Sequence, residues 1–228
     1  MGYMTSAPVM YARRIVRRLG INPKLLEDRL GINREVKFRR RLLSAGRPGD
    51  VVWDVGAAWG GVSLPLTERV GSEGLVVAFE PDDHFLEQLR AKQKIAPNLV
   101  VVDKAVGAAK GAAVSNSSEN NLRVGGSAWE AAEKSFDVTT GDAVAYEDAV
   151  PVPNVMKIDV EGLELDVLLG CRRLLEDPKL RAIFIEVHFR ILDETGRSAV
   201  PAEIVELLEA SGFRTDWVDS SHLVASRT

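Results

Sequence analysis

A glycine-containing run that begins at Asp54 is the part of the sequence best suited to hold a ligand. The run reads Asp-Val-Gly-Ala-Ala-Trp-Gly-Gly and continues from the apolar residues 51–55, which are typical of a buried strand. Glycines at such a strand-to-helix turn let the backbone bend sharply and approach a ligand closely. The spacing D-x-G-x-x-x-G differs from the G-x-G-x-x-G of dinucleotide-binding loops, which seat a pyrophosphate. The run is therefore either an ordinary connection or a loop for a ligand without phosphate.

An acid beside this loop suits a cofactor that carries positive charge, as S-adenosylmethionine does with its ammonium and sulfonium groups. Two further acids could bind the adenosine part: Glu80 ends the predicted strand 75–80, and Asp103 lies in the predicted strand 99–106. The first can accept hydrogen bonds from both ribose hydroxyls, and the second from the adenine amino group. Taken singly, each acid could also have an ordinary structural role at the start of a helix or in a turn. Together they favour a cofactor site along one edge of a parallel sheet.

A second group of ionisable residues follows the next two predicted strands. The run Lys-Ile-Asp-Val-Glu-Gly-Leu-Glu begins at Lys157 and leaves the predicted strand 154–159, while Glu186 and His188 stand two residues apart in the predicted strand 181–188. Residues two apart on a strand share a face, so these groups could form an acid/base site. We predict that His188 or Glu161 is a general base and that Lys157 and Glu186 hold its geometry.

Two other interpretations of this group remain open. The acids could simply begin a helix, with the lysine as their counter-charge, and the histidine could bond to backbone. Alternatively, a divalent metal could be held by four of the groups, namely Asp159, Glu161, Glu186 and His188. Nothing in the spacing demands an ion, so we expect no metal.

These motifs resemble the FkbM family of methyltransferases. The matching segments are residues 54–63, 79–81 and 157–170, with a weaker match at 186–188, so that the resemblance covers about residues 48–190. It implies a Rossmann-like class I methyltransferase fold, S-adenosylmethionine as cofactor, and a hydroxyl of a sugar, polyketide or similar small metabolite as methyl acceptor. The loop departs from the family at Ala58, where asparagine is usual, which puts one side-chain contact to the cofactor in doubt.

The residues expected to bind the cofactor come from the glycine loop, from the ends of the next two strands and from the turn after the fourth. They are Asp54, Gly56, Ala57, Gly60, Glu80, Pro81, Asp103, Ala105 and Asp159. The residues expected to act in catalysis are Lys157, Glu161, Glu186 and His188.

The elements that must position these residues follow from an alternation of strand and helix patterns after residue 50. The strands named above alternate with predicted helices at 61–70, 81–94, 163–175 and 200–211, and a hairpin is predicted from 213–218 and 222–226. This order predicts a mostly parallel α/β sheet that ends in an antiparallel hairpin. Between residues 107 and 150 the alternation fails, and we predict an insertion in which segments 113–124 and 136–144 form short strands around a polar loop.

The N-terminal segment, residues 1–47, differs in charge from the rest. It contains 12 Lys or Arg against 3 Asp or Glu, although the whole chain of 228 residues carries a net charge of −4. Helical patterns at 9–19, 22–31 and 33–44 favour a helical cover for the methyltransferase domain, residues 48–228. Alternatives are an RNA methyltransferase that uses this basic arm, and a non-catalytic adenosylmethionine-binding module attached to a membrane or partner through helix 9–19. The glycine spacing argues against a nicotinamide oxidoreductase.

Bulk properties complete the expectations. The length suits one α/β core, the single cysteine, Cys171, permits no intrachain disulfide, and no apolar run approaches the roughly 20 residues that span a bilayer. We therefore expect a cytoplasmic enzyme with a small hydroxylated substrate, no nucleic-acid partner, and a possible homodimer.

Overall fold

The structure is a computed structural model and describes residues 34–116, 121–124 and 132–227. The predicted helices at 9–19 and 22–31, and the polar middle of the predicted insertion, lie outside the described residues. The strands are β1 (Val51–Val55), β2 (Leu75–Phe79), β3 (Leu99–Val102), β4 (Ala105–Val106), β5 (Gly111–Asn116), β6 (Asn121–Val124), β7 (Ala132–Thr139), β8 (Val155–Ile158), β9 (Ala182–Glu186), β10 (Arg214–Trp217) and β11 (His222–Ser226).

The helices alternate with these strands over most of the described chain. They are α1 (Arg34–Ala45), α2 (Ser63–Val70), α3 (Asp83–Gln93), α4 (Gly141–Tyr146), α5 (Glu164–Leu169), α6 (Arg172–Glu176), α7 (Phe189–Glu194) and α8 (Val200–Ala210). None of these described helices combines the length and the apolar character needed to cross a bilayer.

The main sheet has seven strands in the order β10-β11-β9-β8-β1-β2-β3. The five strands from β9 to β3 are parallel, whereas β11 pairs antiparallel with both β9 and β10. The predicted class I methyltransferase topology, with its C-terminal antiparallel hairpin, is confirmed. Because β8 lies beside β1 on the side opposite β2, the turns that follow β1 and β8 meet at one edge of the sheet.

A second sheet of four strands, in the order β4-β7-β5-β6, is built from three strands of the predicted insertion and from β4, which precedes it. The prediction of one strand over 99–106 is wrong, because β3 ends at Val102 and β4 pairs with β7 in the second sheet. Segment 136–144 is also not wholly extended. The Thr140 side chain accepts a hydrogen bond from Ala143 N at 3.1 Å and so begins the helix α4.

Two other helical segments differ from the predictions. The single helix expected at 163–175 is divided into α5 and α6, and Gly170 lies between them at a point where the chain packs tightly. A Cβ atom at Gly170 would stand only 2.0 Å from the Gly107 carbonyl oxygen. The sequence patterns also did not predict α7, whose six residues are too few for a helical period to be recognised.

Helix α1 packs against the main sheet. Phe38 and Leu42 are buried in the same apolar cluster as Val52 and Phe184 of the sheet, and the Phe38 and Phe184 rings meet edge-on with centroids 5.7 Å apart. Two arginines of the helix bond to the rest of the fold: Arg39 donates to the Gly61 carbonyl at 2.7 Å, and Arg41 pairs with Asp216 at 2.8 Å. This part of the basic segment thus covers the sheet through one apolar face.

The packing of α1 predicts a stability cost when its buried face is truncated. Leu42 is 1% exposed, so Leu42→Ala should lower the free energy of unfolding by about 2–5 kcal/mol through lost burial and a residual cavity. Denaturant unfolding followed by circular dichroism measures this change. Ile95→Ala is the control, since Ile95 is 74% exposed and should change stability by less than about 0.5 kcal/mol. Equal effects of the two variants would show that α1 does not stabilise the domain.

Candidate functional site

A pocket opens at the carboxyl ends of β1, β2 and β8, where the second sheet also contributes to its wall. Open α/β sheets bind their ligands at this edge. The described residues that line it are Val55, Gly56, Ala58, Phe79, Glu80, Pro81, Asp82, Phe85, Lys104, Ala105, Val106, Phe136, Asp159, Val160, Glu161 and Leu163. Six of the predicted site residues are among them: Gly56, Glu80, Pro81, Ala105, Asp159 and Glu161.

The two glycines of the β1 loop have different roles. Gly56 has a φ of +77°, and a Cβ atom there would stand 1.9 Å from the Asp159 carbonyl oxygen, so only glycine lets the loop approach the turn after β8. A Cβ atom on Gly60 would stand 2.6 Å from the Leu89 side chain of α3. Gly60 therefore packs the loop against a helix and is not among the residues that line the pocket.

Ala58 has a left-handed backbone with a φ of +47°. Asparagine is enriched in this conformation, whereas alanine rarely adopts it because of its Cβ atom. The position at which this sequence departs from the family therefore favours asparagine for backbone reasons, besides any side-chain contact. The Ala58 N–H donates to Glu80 Oε2 at 2.8 Å, and this bond is available to any residue at the position.

Glu80 is held as a fixed hydrogen-bond acceptor at the end of β2. Its side chain is buried, with the residue only 6% exposed, and Oε1 accepts from Asp82 N at 2.8 Å while Oε2 accepts from Ala58 N. Burial raises the pKa of Glu80 above its ordinary value, although the two N–H donors oppose the shift. Each oxygen keeps a second lone pair that can accept from a ligand hydroxyl.

Asp54 and Lys157 form a buried ion pair beneath the loop. Lys157 Nζ lies 3.0 Å from Asp54 Oδ1 and 3.4 Å from Asp159 Oδ2, and it donates to the Gly56 carbonyl at 2.8 Å. Asp54 also accepts from the Ser63 hydroxyl at 2.6 Å. Burial alone would lower the pKa of Lys157, but the two carboxylates raise it, so the ammonium remains charged. Both residues hold the loop from below, and neither is among the residues that line the pocket.

His188 is oriented by a fully buried acid that the sequence analysis did not assign. Its Nδ1 atom lies 2.7 Å from Glu164 Oε1, which also accepts from Gly162 N at 2.8 Å. The other ring nitrogen, Nε2, lies 3.6 Å from Asp159 Oδ1. Glu164 closes the run that begins at Lys157, but its sequence position is equally that of an acid in a first helical turn. What distinguishes Glu164 from such an acid is its complete burial next to His188, and no local sequence pattern reveals that burial.

The surrounding acids determine the charge of His188. Burial alone would lower the pKa of the imidazole, but the hydrogen bond to Glu164 and the charges of Glu164, Asp159 and Glu186 raise it to about 9. At neutral pH, the ring is therefore mostly protonated, and its two nitrogens face carboxylates on opposite sides.

Glu161 extends into the pocket from a strained turn. Its φ of +50° is unusual for a residue with a long side chain, and Gly162 follows with a φ of +97°. Such strain persists where surrounding structure enforces it, and it is common at functional sites. Burial raises the pKa of Glu161, but the carboxylate still lines the pocket and can act as an acceptor.

Among the described residues, Asp159, Glu186 and His188 each bring one ligand atom within 4.8 Å of the others, so this group could hold a divalent cation. Of the four residues considered as metal ligands from the sequence, Glu161 does not belong to this group. Both carboxylates already face cationic groups, since Lys157 lies 3.4 Å from Asp159 and His222 Nε2 lies 3.6 Å from Glu186. Added positive charge at this point would compete with those partners.

Asp103 and Ala57 lie outside the pocket lining. Asp103 pairs with Arg90 at 2.8 Å on the surface, with 56% of its side chain exposed, because the chain turns away after β3. The adjacent Lys104 and Ala105 line the pocket instead. Ala57 is buried and donates its N–H to the Phe79 carbonyl at 3.0 Å. The cofactor contacts expected of both residues stay predictions.

Comparison with known proteins identifies the same class of enzyme. Residues 54–215 match the family model of the Methyltransferase FkbM domain. The hexuronic acid methyltransferase AglP of Haloferax volcanii is 27% identical over 179 residues, which are 78% of this chain and 69% of that protein. The family match spans the loop after β1, the pocket acids and the ends of β8 and β9.

Solved methyltransferase structures are similar to this chain at low sequence identity. A candidate rRNA-methylase from Clostridium thermocellum superimposes with a TM-score of 0.51 at 9% identity, covering 86% of this chain and 98% of its own. A precorrin-6Y C5,15-methyltransferase from Geobacter metallireducens has a TM-score of 0.48 and 17% identity, and covers 83% of this chain and 87% of its own.

The position of Glu80 predicts its effect on cofactor binding. Glu80→Ala should weaken the binding of S-adenosylhomocysteine by about 1–3 kcal/mol, because ribose hydroxyls lose a charged acceptor. Isothermal titration calorimetry measures the change, and Glu87→Gln, on the exposed face of α3, is the matched control. Unchanged affinity in a folded Glu80→Ala variant would remove Glu80 from the site. The same assay on Asp103→Asn tests the adenine contact expected from the sequence.

Proposed function

Because the chain belongs to the FkbM family of S-adenosylmethionine-dependent methyltransferases, we propose that it methylates a hydroxyl group of a sugar or a similar small metabolite. The observation that carries this proposal is a histidine beside the pocket, with one ring nitrogen bonded to Glu164 and the other directed toward Asp159. This arrangement supports a role for His188 as the general base that an acceptor hydroxyl requires. The similarity to a hexuronic acid methyltransferase supports a sugar as the substrate class.

The described pocket lining fits the cofactor by charge and shape. Four of its residues are acids and one, Lys104, is basic, which suits a cation without phosphate. The Gly56 backbone would approach the cofactor closely, and Glu80 would accept from its ribose, with Pro81 and Ala105 beside them. When bound, S-adenosylmethionine supplies a methyl group already activated by its sulfonium. The protein must then orient the acceptor and remove its proton.

We assign the proton acceptor to Nε2 of His188. In the neutral ring, Nδ1–H donates to Glu164, so Nε2 is the nitrogen left to take a proton from an acceptor hydroxyl. Asp159, 3.6 Å away, then stabilises the imidazolium that forms. Lys157 contacts both Asp159 and the Gly56 carbonyl and so holds them in place relative to each other. Its role is therefore to position these groups. Glu161 is the second candidate base, because its carboxylate lines the same pocket.

We propose a structural role, and no nucleic-acid contact, for the described part of the basic segment. Arg39 and Arg41 of α1 are bonded to the fold, and Phe38 and Leu42 are buried against the sheet. Both arginines are exposed to solvent, but their guanidinium groups are already bonded within the fold, whereas an arm that binds phosphates needs cations that are not engaged in this way. Weak binding of generic RNA at physiological salt is the expected result, and tight, steeply salt-dependent binding would favour the RNA methyltransferase alternative.

A methyl-transfer screen tests the function directly. Uronic acids, neutral sugars and RNA are incubated with labelled S-adenosylmethionine and the protein, and products are identified by mass spectrometry. Methyl ether formation on a sugar hydroxyl, lost in His188→Gln, is the expected result. Methylation of RNA alone would refute the proposed substrate class, and cofactor binding without transfer to any acceptor would favour a non-catalytic module. A parallel arm with a chelator tests the metal alternative, and it should change the rate little.

The pKa of His188 predicts the pH dependence of the reaction. The proposed base is the neutral imidazole, which is formed only as pH rises through its pKa, so kcat/KM for S-adenosylmethionine, which reports the free enzyme, should increase about tenfold per pH unit up to about pH 9. His188→Gln should lower kcat by about 10²- to 10⁴-fold while S-adenosylhomocysteine still binds. A profile that is already level at pH 7, together with loss of activity in Glu161→Gln, would assign the base to Glu161 instead.

A further inference from the structure

A second histidine–acid pair lies directly behind the candidate site. His222, the first residue of β11, is 5% exposed, and its Nδ1 atom lies 2.8 Å from Asp219 Oδ2. Asp219 is itself fixed by the backbone, since its Oδ1 accepts from Ser221 N at 2.8 Å and from His222 N at 3.0 Å. Phe38 of α1 covers the imidazole, with ring centroids 4.2 Å apart. The ring is thus held along one edge and one face.

The Nε2 edge of the His222 ring faces Glu186. His222 and Glu186 are register partners across β11 and β9, and His222 Nε2 lies 3.6 Å from Glu186 Oε2. Among the described residues, the titratable groups that face His222 are Asp219 and Glu186, and the uncharged ring of Phe38 covers one face of the imidazole. Although burial alone would lower the pKa of His222, both acids raise it to about 9, so the ring carries a positive charge at neutral pH.

Glu186 stands between the two histidines. Its carboxylate has a ligand atom within 4.8 Å of Asp159 and of His188, and its charge contributes to the raised pKa of Glu161. The resulting order of charges is Asp219, His222, Glu186, His188 and Glu164, in which acids and histidines alternate. His188 is a second cationic ring with a ligand atom within 4.8 Å of this carboxylate, so the two histidines can compete for Glu186.

We propose that His222 is a positioning residue, which holds the Glu186 carboxylate back so that Nε2 of His188 stays available to the acceptor hydroxyl. This inference rests on the proposed function in one respect, namely that His188 is the base. It adds a residue outside the pocket lining, and outside the motifs of the sequence, to the machinery of the reaction. It also links that machinery to the C-terminal hairpin, which α1 covers.

Two substitutions at this position separate the contacts of the two ring nitrogens. Gln reaches about as far as Nε2 and keeps a donor toward Glu186, whereas Asn reaches about as far as Nδ1 and keeps only the contact with Asp219. We expect His222→Asn to lower kcat about 10- to 100-fold with little change in KM for S-adenosylmethionine, and His222→Gln to retain most of kcat. A purely structural histidine would give the reverse order, or equal losses, and either result would overturn the proposal.

A double-mutant cycle tests whether the effect passes through Glu186. If it does, adding His222→Asn to Glu186→Gln should lower kcat no further, because the charge that His222 restrains is already gone. Effects that simply multiply would refute the coupling. Melting temperature and S-adenosylhomocysteine affinity are measured on every variant, so that a folding defect is recognised as such. His222→Gln and Glu186→Gln preserve side-chain volume and provide the comparison if the Asn variant does not fold.

An experiment without any methyl acceptor distinguishes failure of this inference from failure of the proposed function. The chain has three histidines, His84, His188 and His222, so imidazole ¹H–¹⁵N spectra can be assigned by single substitution. Glu186→Gln should shift the Nε2 resonance of His222 and also that of His188, because both rings lose a neighbouring charge. An unchanged His222 resonance would overturn the inference, whatever the methyl-transfer screen finds.

Discussion

The buried ammonium of Lys157 is the interaction on which the site depends. Asp54 and Lys157 are register partners on the adjacent strands β1 and β8, and the lysine also bonds to the Gly56 carbonyl after β1 and faces Asp159 after β8. An ammonium without such partners would cost several kcal/mol to bury. The same contact therefore compensates the charge and fixes two turns relative to each other. One of these turns carries the cofactor loop, and the other carries the acids.

The charges of the site divide into two regions that share Asp159. On the pocket side, the charged residues of the described lining are mostly acidic and suit a cationic ligand. Behind it, His188 and His222 alternate with Glu164, Glu186 and Asp219, so that each ring lies between acids. Because like charges are kept apart by an intervening opposite charge, five ionisable groups can stand close together in a half-buried place. The arrangement also fixes which nitrogen of His188 can take a proton.

The sequence predicted those parts of the structure whose signal is local. Apolar runs gave β1, β2, β8 and β9, and the order of strands and helices gave the sheet topology, because such patterns carry the period and burial of each element. The glycine loop and Glu80 were found for the same reason, since their roles follow from position at a strand end.

The rest depends on contacts between distant residues. Asp103 could not be separated from its neighbours because β3 ends one residue before it, and the two-residue strand β4 joins another sheet. Glu164 looked like any acid in a first helical turn until its burial was known. His222 had no signal at all, since its contact with Glu186 arises from the register of β11 against β9. Sheet register is set by the whole fold and cannot be read from a local pattern.

A histidine with a raised pKa suits this reaction for an energetic reason. A base of higher pKa removes a hydroxyl proton more readily, but a smaller fraction of it is neutral at pH 7. The acids around His188 favour the charged ring, and a cationic ligand in the neighbouring pocket opposes them. Occupation of the pocket by such a ligand therefore lowers the pKa of His188 and increases the neutral fraction. Under the proposed function, His188 would therefore be neutral more often with the methyl donor in place than in the free enzyme, where the acids keep it mostly protonated.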